Sequence, residues 1–313
     1  MKRYSPYRAL LLINAILICS AALGDSHTLR IVGVQLEITE AMYGSAESFR
    51  NRIDTEIQIA VADGRADIVI FPEYTSAFLA LIPYAEEILQ TDTLAEAYAG
   101  IQKRNPSAAS IKQLFMEQAP GVRIIMDEIW GSLAKKYSLH VIAGTWFAKS
   151  ADQLKNRMAI YGPSGDLIYN QDKVFLTDFE LDVLNLTPGQ LLSAKPVHIN
   201  GYLVGTTICR DTFFPEWNER FSTVDVWIDI KANGVAFTAE ESQKFLDALP
   251  ARIAQSGVPM GVTVCLTGSF LDLFWEGRSF SVFSASSEDF EQVAQTYNGG
   301  SQIYAIYSSD GTR

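Results

Sequence analysis

Short apolar runs and amphipathic stretches alternate along most of the chain. LRIVGVQLE (29–37) is β-branched and apolar and predicts a buried strand. Phe49, Ile53, Ile57 and Val61 then recur at helical spacing, with Ser45 or Ser48 placed to cap the helix and Gly64 to close it. ADIVIF (66–71) predicts a second buried strand, IIMDEIWGSLAKKYS (124–138) a helix, and LHVIAGTWF (139–147) a third strand. RMAIYGPSGDLIYNQD (157–172) predicts a hairpin turning at Pro163–Asp166. Beyond it, YLVGTTIC and VDVWIDIK predict strands and FPEWNERFS the start of a helix. SQKFLDALPARIAQSG predicts one helix ended by Gly257, and PMGVTVCLTGSF, RSFSVFS and SQIYAIYS predict the last strands. Buried strands alternating with amphipathic helices define an α/β protein. With many strands and few helices, each sheet is expected to carry helices on one face only, two sheets packing together inside.

Composition narrows this picture. The 313 residues are 48% hydrophobic and 19% charged, with no linker-like tract, so one folded domain over 25–313 is expected. The net charge of −11 opposes nucleic-acid binding. Residues 1–24 have a different character. MKRYSPYR carries three basic residues and no acid, ALLLINAILICSAALG is an apolar run, and Ala22 and Gly24 stand at −3 and −1 of a cut before Asp25. This is the tripartite form of a signal peptide, and it implies an exported protein with no stable membrane span after cleavage; an uncleaved N-terminal anchor is the alternative. Loss of that segment removes three basic residues and no acid, taking the charge from −11 to −14.

Of the three cysteines, Cys19 lies in the leader, leaving Cys209 and Cys265. Two are too few for a disulfide framework in a domain this large. Without CxxC or HxxxH spacing and with three histidines, neither a metal nor another cofactor is expected. Cys265 sits inside an apolar run and reads as core. Cys209 stands where an apolar strand runs out, and two other strand-like runs end the same way: DIVIFP leads to Glu73 and LIYNQD to Lys173. Ligand sites of open α/β sheets gather at the carboxyl ends of strands. A carboxylate, an ammonium and a thiol converging there make an acyl-transfer site. The carboxylate takes the thiol proton, and the ammonium lowers the thiol pKa and stabilises an oxyanion.

These motifs together resemble the nitrilase (carbon–nitrogen hydrolase) superfamily across nearly all of residues 25–313. FPEY resembles its glutamate motif, GTWF (144–147) with Asn156 the landmarks before its lysine hairpin, and NQDKVFLTDFE its lysine motif. GTTICRD resembles the nucleophile motif and ARIAQSGVP (251–259) the late helix. The resemblance implies a four-layer αββα sandwich, two mixed β-sheets flanked by helices, that pairs into a homodimer or higher homo-oligomer. It implies catalytic residues Glu73, Lys173 and Cys209, with Glu180 as a second acid and Asp178 its competitor. The implied reaction is hydrolysis of a non-peptide carbon–nitrogen bond in a small amide, an N-carbamoyl compound or, less in keeping with the motifs, a nitrile, through a thioester and without a cofactor. A thioester-based N-acyltransferase and a non-catalytic binding protein are the alternatives. Arg210 follows the nucleophile where many members carry Tyr or Trp; its N–H joins the oxyanion hole and its side chain alters the substrate pocket. Phe213 and Trp217 either line that pocket or pack on the following helix. Gln255–Ser256 replaces the common Glu–Asn, and 78–120, which lacks a family landmark, is a lid or an edge helix.

Overall fold

The computed structural model describes residues 28–62, 64, 66–284 and 301–308; the leader and its Cys19 lie outside them. Eleven of the strands described form two mixed sheets, each around three parallel strands. In the first, β1 (Thr28–Gln35), β3 (Ile68–Phe71) and β4 (His140–Ser150) run parallel. β14 (Ser301–Ser308) adds antiparallel to β1, while β5 (Gln153–Tyr161) and β6 (Leu167–Asp172) continue from β4 as antiparallel neighbours. In the second, β8 (Tyr202–Ile208), β9 (Val226–Lys231) and β10 (Met260–Cys265) are parallel, edged by antiparallel β7 (Val197–Ile199) and β13 (Phe280–Phe283). A small third sheet joins β2 (Glu37–Ile38), β11 (Thr267–Phe270) and β12 (Leu273–Trp275).

Alternation along the strands sorts the core into layers. Ile31, Ile68, Ile70, Ile142 and Ile160 of the first sheet meet Val204, Ile208, Ile228, Ile230 and Val262 of the second in one buried cluster. The sheets come so close at β1 that a Cβ on Gly33 would stand 2.7 Å from Val264 Cγ2. The opposite face of the first sheet (Val32, Val69, Val141) buries Phe49, Ile53 and Ile57 of α1 (Ala46–Ala60) and residues of α4 (Ile111–Met126) and α5 (Ser132–Tyr137). The outer face of the second (Trp227, Val282) buries Trp217 of α6 (Glu216–Arg220) and Leu249 and Ile253 of α8 (Leu249–Ser256). The result is the four-layer αββα order.

Ser45 is the α1 cap, its hydroxyl accepting from the Ser48 N–H at 3.0 Å. Several elements differ from the sequence pattern: LRIVGVQLE is divided between β1 and β2, and PMGVTVCLTGSF between β10 and β11. The late helix is divided into α7 (Ala239–Asp247) and α8 at Ala248, whose ψ of −116° is not helical. Pro250 is the cause: it has no N–H for the helical ladder, its ring collides with the carbonyl four residues back, and it is tolerated only in the first turn of a new helix. The stretch without landmarks, 78–120, forms α2 (Ala85–Leu89), α3 (Leu94–Arg104) and the start of α4. These helices continue the outer layer over the first sheet through buried Ile88, Ile101 and Leu114.

Candidate active site

Each strand-exit residue occupies a turn built for it. Beyond β3, Glu73 is followed by Tyr74 in the left-handed region (φ 62°). That turn is held by the GTWF motif: Tyr74 N–H donates to Thr145 Oγ1 (2.9 Å) and Ser76 N–H to the Thr145 carbonyl (3.1 Å). Gly144 is required there, since it has φ 66° and a Cβ would stand 2.2 Å from the Pro72 carbonyl oxygen. Lys173 directly follows β6, its N–H donating to the Asn156 carbonyl at 2.8 Å. Cys209 directly follows β8 with φ 53°, a strained conformation for a residue with a Cβ. Asp211 ties the two halves together. Its Oδ1 accepts from Val174 N–H (3.1 Å) and Phe175 N–H (2.8 Å) in the lysine loop, and its Oδ2 from Ile208 N–H (3.2 Å) before the thiol.

The charged groups converge. Lys173 Nζ lies 2.8 Å from both Glu73 Oε1 and Glu180 Oε2, and all three residues are at most 1% exposed. Asn156 Nδ2 also bridges the carboxylates, donating to Glu73 Oε1 (2.8 Å) and Glu180 Oε1 (2.7 Å). Glu180 is fully saturated: Tyr74 Oη donates to Oε1 (3.0 Å), and the Thr177 N–H and hydroxyl donate to Oε2 (2.8 and 3.1 Å). Glu73 is not. Its Oε2 is buried with no hydrogen-bond partner.

This difference separates the two acids. Burial opposes ionisation of both. At Glu180, Lys173 and the Thr177 and Asn156 donors outweigh it and hold the carboxyl below its ordinary range. At Glu73, burial wins over Lys173, with Glu180 adding repulsion, and the carboxyl is raised. Burial would neutralise Lys173, but Glu73 and Glu180 hold its ammonium well above the ordinary value. The thiol departs from the sequence expectation. Burial and the Glu73 charge push Cys209 up to about 12 against the pull of Lys173 and Lys231, so it rests as a thiol and not as a thiolate.

Glu180 is therefore the acid brought to Lys173, whereas the Asp178 side chain is 91% exposed and stands 3.6 Å from Arg210. The Arg210 guanidinium reaches the lysine loop, donating to the Leu176 carbonyl at 2.8 Å. Phe213 is exposed and lies over the Lys231 ammonium. Trp217 is not brought to the site: it is fully buried among Phe221, Trp227 and Leu249 on the outer face of the second sheet. Cys265 is a buried free thiol. His140 opens β4, paired with Ile68 at the start of β3. Tyr74 also lines a narrow apolar chamber. Phe78, Phe115, Phe147 and Trp275 wall it, together with Ala97 and Ile101 of α3.

The sequence pattern marked Asp211 only as the acid two places after Cys209 and did not single out Tyr74, Asp229 or Lys231. Asp229 and Lys231 did leave a signal: two opposite charges two apart in an otherwise apolar strand share a face.

No protein-family model matches the chain, and no curated protein matches it in sequence. Solved structures match its fold over nearly the whole length. The amidase from Nesterenkonia sp. AN1, as a double mutant in complex with acrylamide, aligns with a TM-score of 0.62 at 16% identity, covering 89% of this chain and 90% of that one. A single mutant of that amidase in complex with butyramide aligns at 0.63 and 16%, covering 91% and 92%. Saccharomyces cerevisiae Nit3, of branch 10 of the nitrilase superfamily, aligns at 0.61 and 17%, covering 90% of each chain. The fold is that of the nitrilase superfamily.

Proposed function

We propose that this chain is a carbon–nitrogen hydrolase of the nitrilase superfamily, an amidase in its chemistry, with Cys209 as nucleophile. The observation that carries this reading is the unpartnered, buried Glu73 Oε2 in a carboxylate whose other oxygen is tied to Lys173 and Asn156. An oriented carboxylate with one free oxygen and a raised pKa is a general base. Because the thiol is protonated at rest, its proton passes to Glu73 Oε2 as sulfur attacks the amide carbon. The C–S bond forms and the carbonyl electron pair moves onto oxygen, where the Lys173 ammonium and the Arg210 N–H receive it. As that pair returns, the C–N bond breaks, and Glu73 gives its proton to the departing nitrogen, releasing ammonia or an amine. Glu73 then takes a proton from water, whose oxygen attacks the thioester. The acid leaves as the C–S bond breaks, and the proton returns to sulfur. Glu180, ionised throughout, keeps Lys173 charged and in place.

The test is ammonia release from a panel of small amides, N-carbamoyl compounds and nitriles, with Cys209→Ala as the blank. The expected result is turnover of at least one amide, abolished in Cys209→Ala. A folded protein that leaves the whole panel intact would sink the hydrolase reading, and acyl transfer to an added amine in its place would assign the thioester to a transferase.

A further inference from the structure

A second buried lysine stands behind the nucleophile turn. Lys231, the last residue of β9, is 2% exposed. It shares with Asp229 and Trp227 the face of β9 turned away from the other sheet. Three acceptors surround its ammonium, each at 3.0 Å: Asp229 Oδ2, Thr212 Oγ1 and the Cys209 carbonyl oxygen. The Thr212 hydroxyl also donates to the Cys209 carbonyl at 2.8 Å. The rings of Phe213 and Phe245 close over the ammonium at 5.0 and 5.5 Å. Burial opposes the charge, but the Asp229 carboxylate holds Lys231 above its ordinary value, so it remains a cation.

We propose that Lys231 is a positioning residue for the oxyanion hole: by gripping the Cys209 carbonyl it aims and polarises the Arg210 N–H. This rests on the hydrolase reading above. The Cys209–Arg210 peptide is trans, as are all the peptide bonds described, so its C=O and N–H point in opposite directions. A carbonyl held at Lys231, on the outer side of the second sheet, turns the N–H of the same unit the other way. An ammonium on the carbonyl oxygen also draws electron density from the amide nitrogen and makes that N–H a stronger donor. The strained φ of 53° at Cys209 is then the conformation that these two donors to its carbonyl hold in place. Asp229 neutralises the cation, so the device adds no net charge beneath the thiol.

That neutrality defines the test. Lys231→Met combined with Asp229→Asn removes both charges and leaves the net charge of the site unchanged. Alkylation of Cys209 by iodoacetamide needs a nucleophilic sulfur but no oxyanion hole, whereas amide turnover needs both. The expected result is a kcat lower by about 10² with KM and the alkylation rate within a few-fold of the parent, the size of effect typical of a lost oxyanion donor. Thr212→Val, which removes the hydroxyl that bridges Lys231 and the Cys209 carbonyl but keeps both charges, is expected to lower kcat several-fold with the same split, and it carries the test if the double variant does not fold. An unchanged kcat overturns the inference. So does a parallel fall in kcat and alkylation, which would make the pair a support of the thiol itself. Parent protein that alkylates at Cys209 but turns over no amide overturns the hydrolase reading first, and this inference with it.

Discussion

At the scale of single residues, the site works through unequal treatment of similar groups. Glu73 and Glu180 touch the same lysine and the same asparagine, yet one is saturated and the other keeps a free oxygen. The pH dependence follows from this. On the proposed mechanism turnover needs Glu73 ionised, and burial raises its carboxyl, so the acid limb of kcat/KM should lie above the about 4.3 of an ordinary glutamate. The thiol ionises only at about 12, so no alkaline limb from Cys209 should interrupt the plateau through neutral pH. A measured rise centred near pH 8, the ordinary thiol range, would point instead to a preformed thiolate. The strand-end positions of Glu73, Lys173 and Cys209 were legible because a polar group at the end of an apolar run is conspicuous in one dimension. Tyr74 and Asn156 act through partners 106 and 83 positions away, and no local pattern carries that. The direction of the thiol's pKa shift was not legible for a related reason: the lysine is visible in sequence, but the depth of burial that outweighs it is not.

Among the elements, the joints matter more than the strands. The apolar runs located most strands to within a few residues because alternation is a local property, and the cap could be narrowed to Ser45 or Ser48 for the same reason. Two things were not local in that sense. Pro250 sits inside an amphipathic pattern that continues on both sides of it, so periodicity joined what the backbone divides into α7 and α8. The helices of 78–120 carry their meaning in what they cover, the first sheet and the chamber beside Tyr74. Asp211 is the joint with the plainest consequence. Burial lifts its carboxyl to about 7, against the Phe175, Ile208 and Val174 N–H groups that favour the anion. Its pKa is therefore higher in the folded chain than in the unfolded one, near 3.9. The stability it contributes is complete below about pH 4 and is lost as pH rises to about 7. Asp211→Asn should remove that slope from urea-unfolding stability and cost about 1–3 kcal/mol, since an amide N–H₂ would face the Ile208 N–H or the pair in the lysine loop. Unfolding curves at pH 5 and pH 8 check this; a slope in the variant as steep as in the parent would exclude Asp211 as its source.

For the molecule as a whole, the two sheets divide the chemistry. The first supplies Glu73 and Lys173, the second supplies Cys209, and the inner cluster fixes the distance between them. Gly33 lies at the tightest approach, with Val264 Cγ2 where a Cβ would need to be. Gly33→Ala should therefore cost about 1–3 kcal/mol through overpacking and lower kcat at temperatures where the protein is still fully folded. Full activity in folded Gly33→Ala would show that the layers have slack. The face-to-face arrangement also determines how the protein would fail. A displacement of one sheet across the other by a single interdigitated row separates thiol from base while every strand keeps its hydrogen bonds. Far-ultraviolet circular dichroism would register nothing, and catalysis would already be gone. On the proposed mechanism the site is in this respect a gauge of alignment between two intact layers, and inactivation is expected as a tertiary event ahead of any loss of secondary structure.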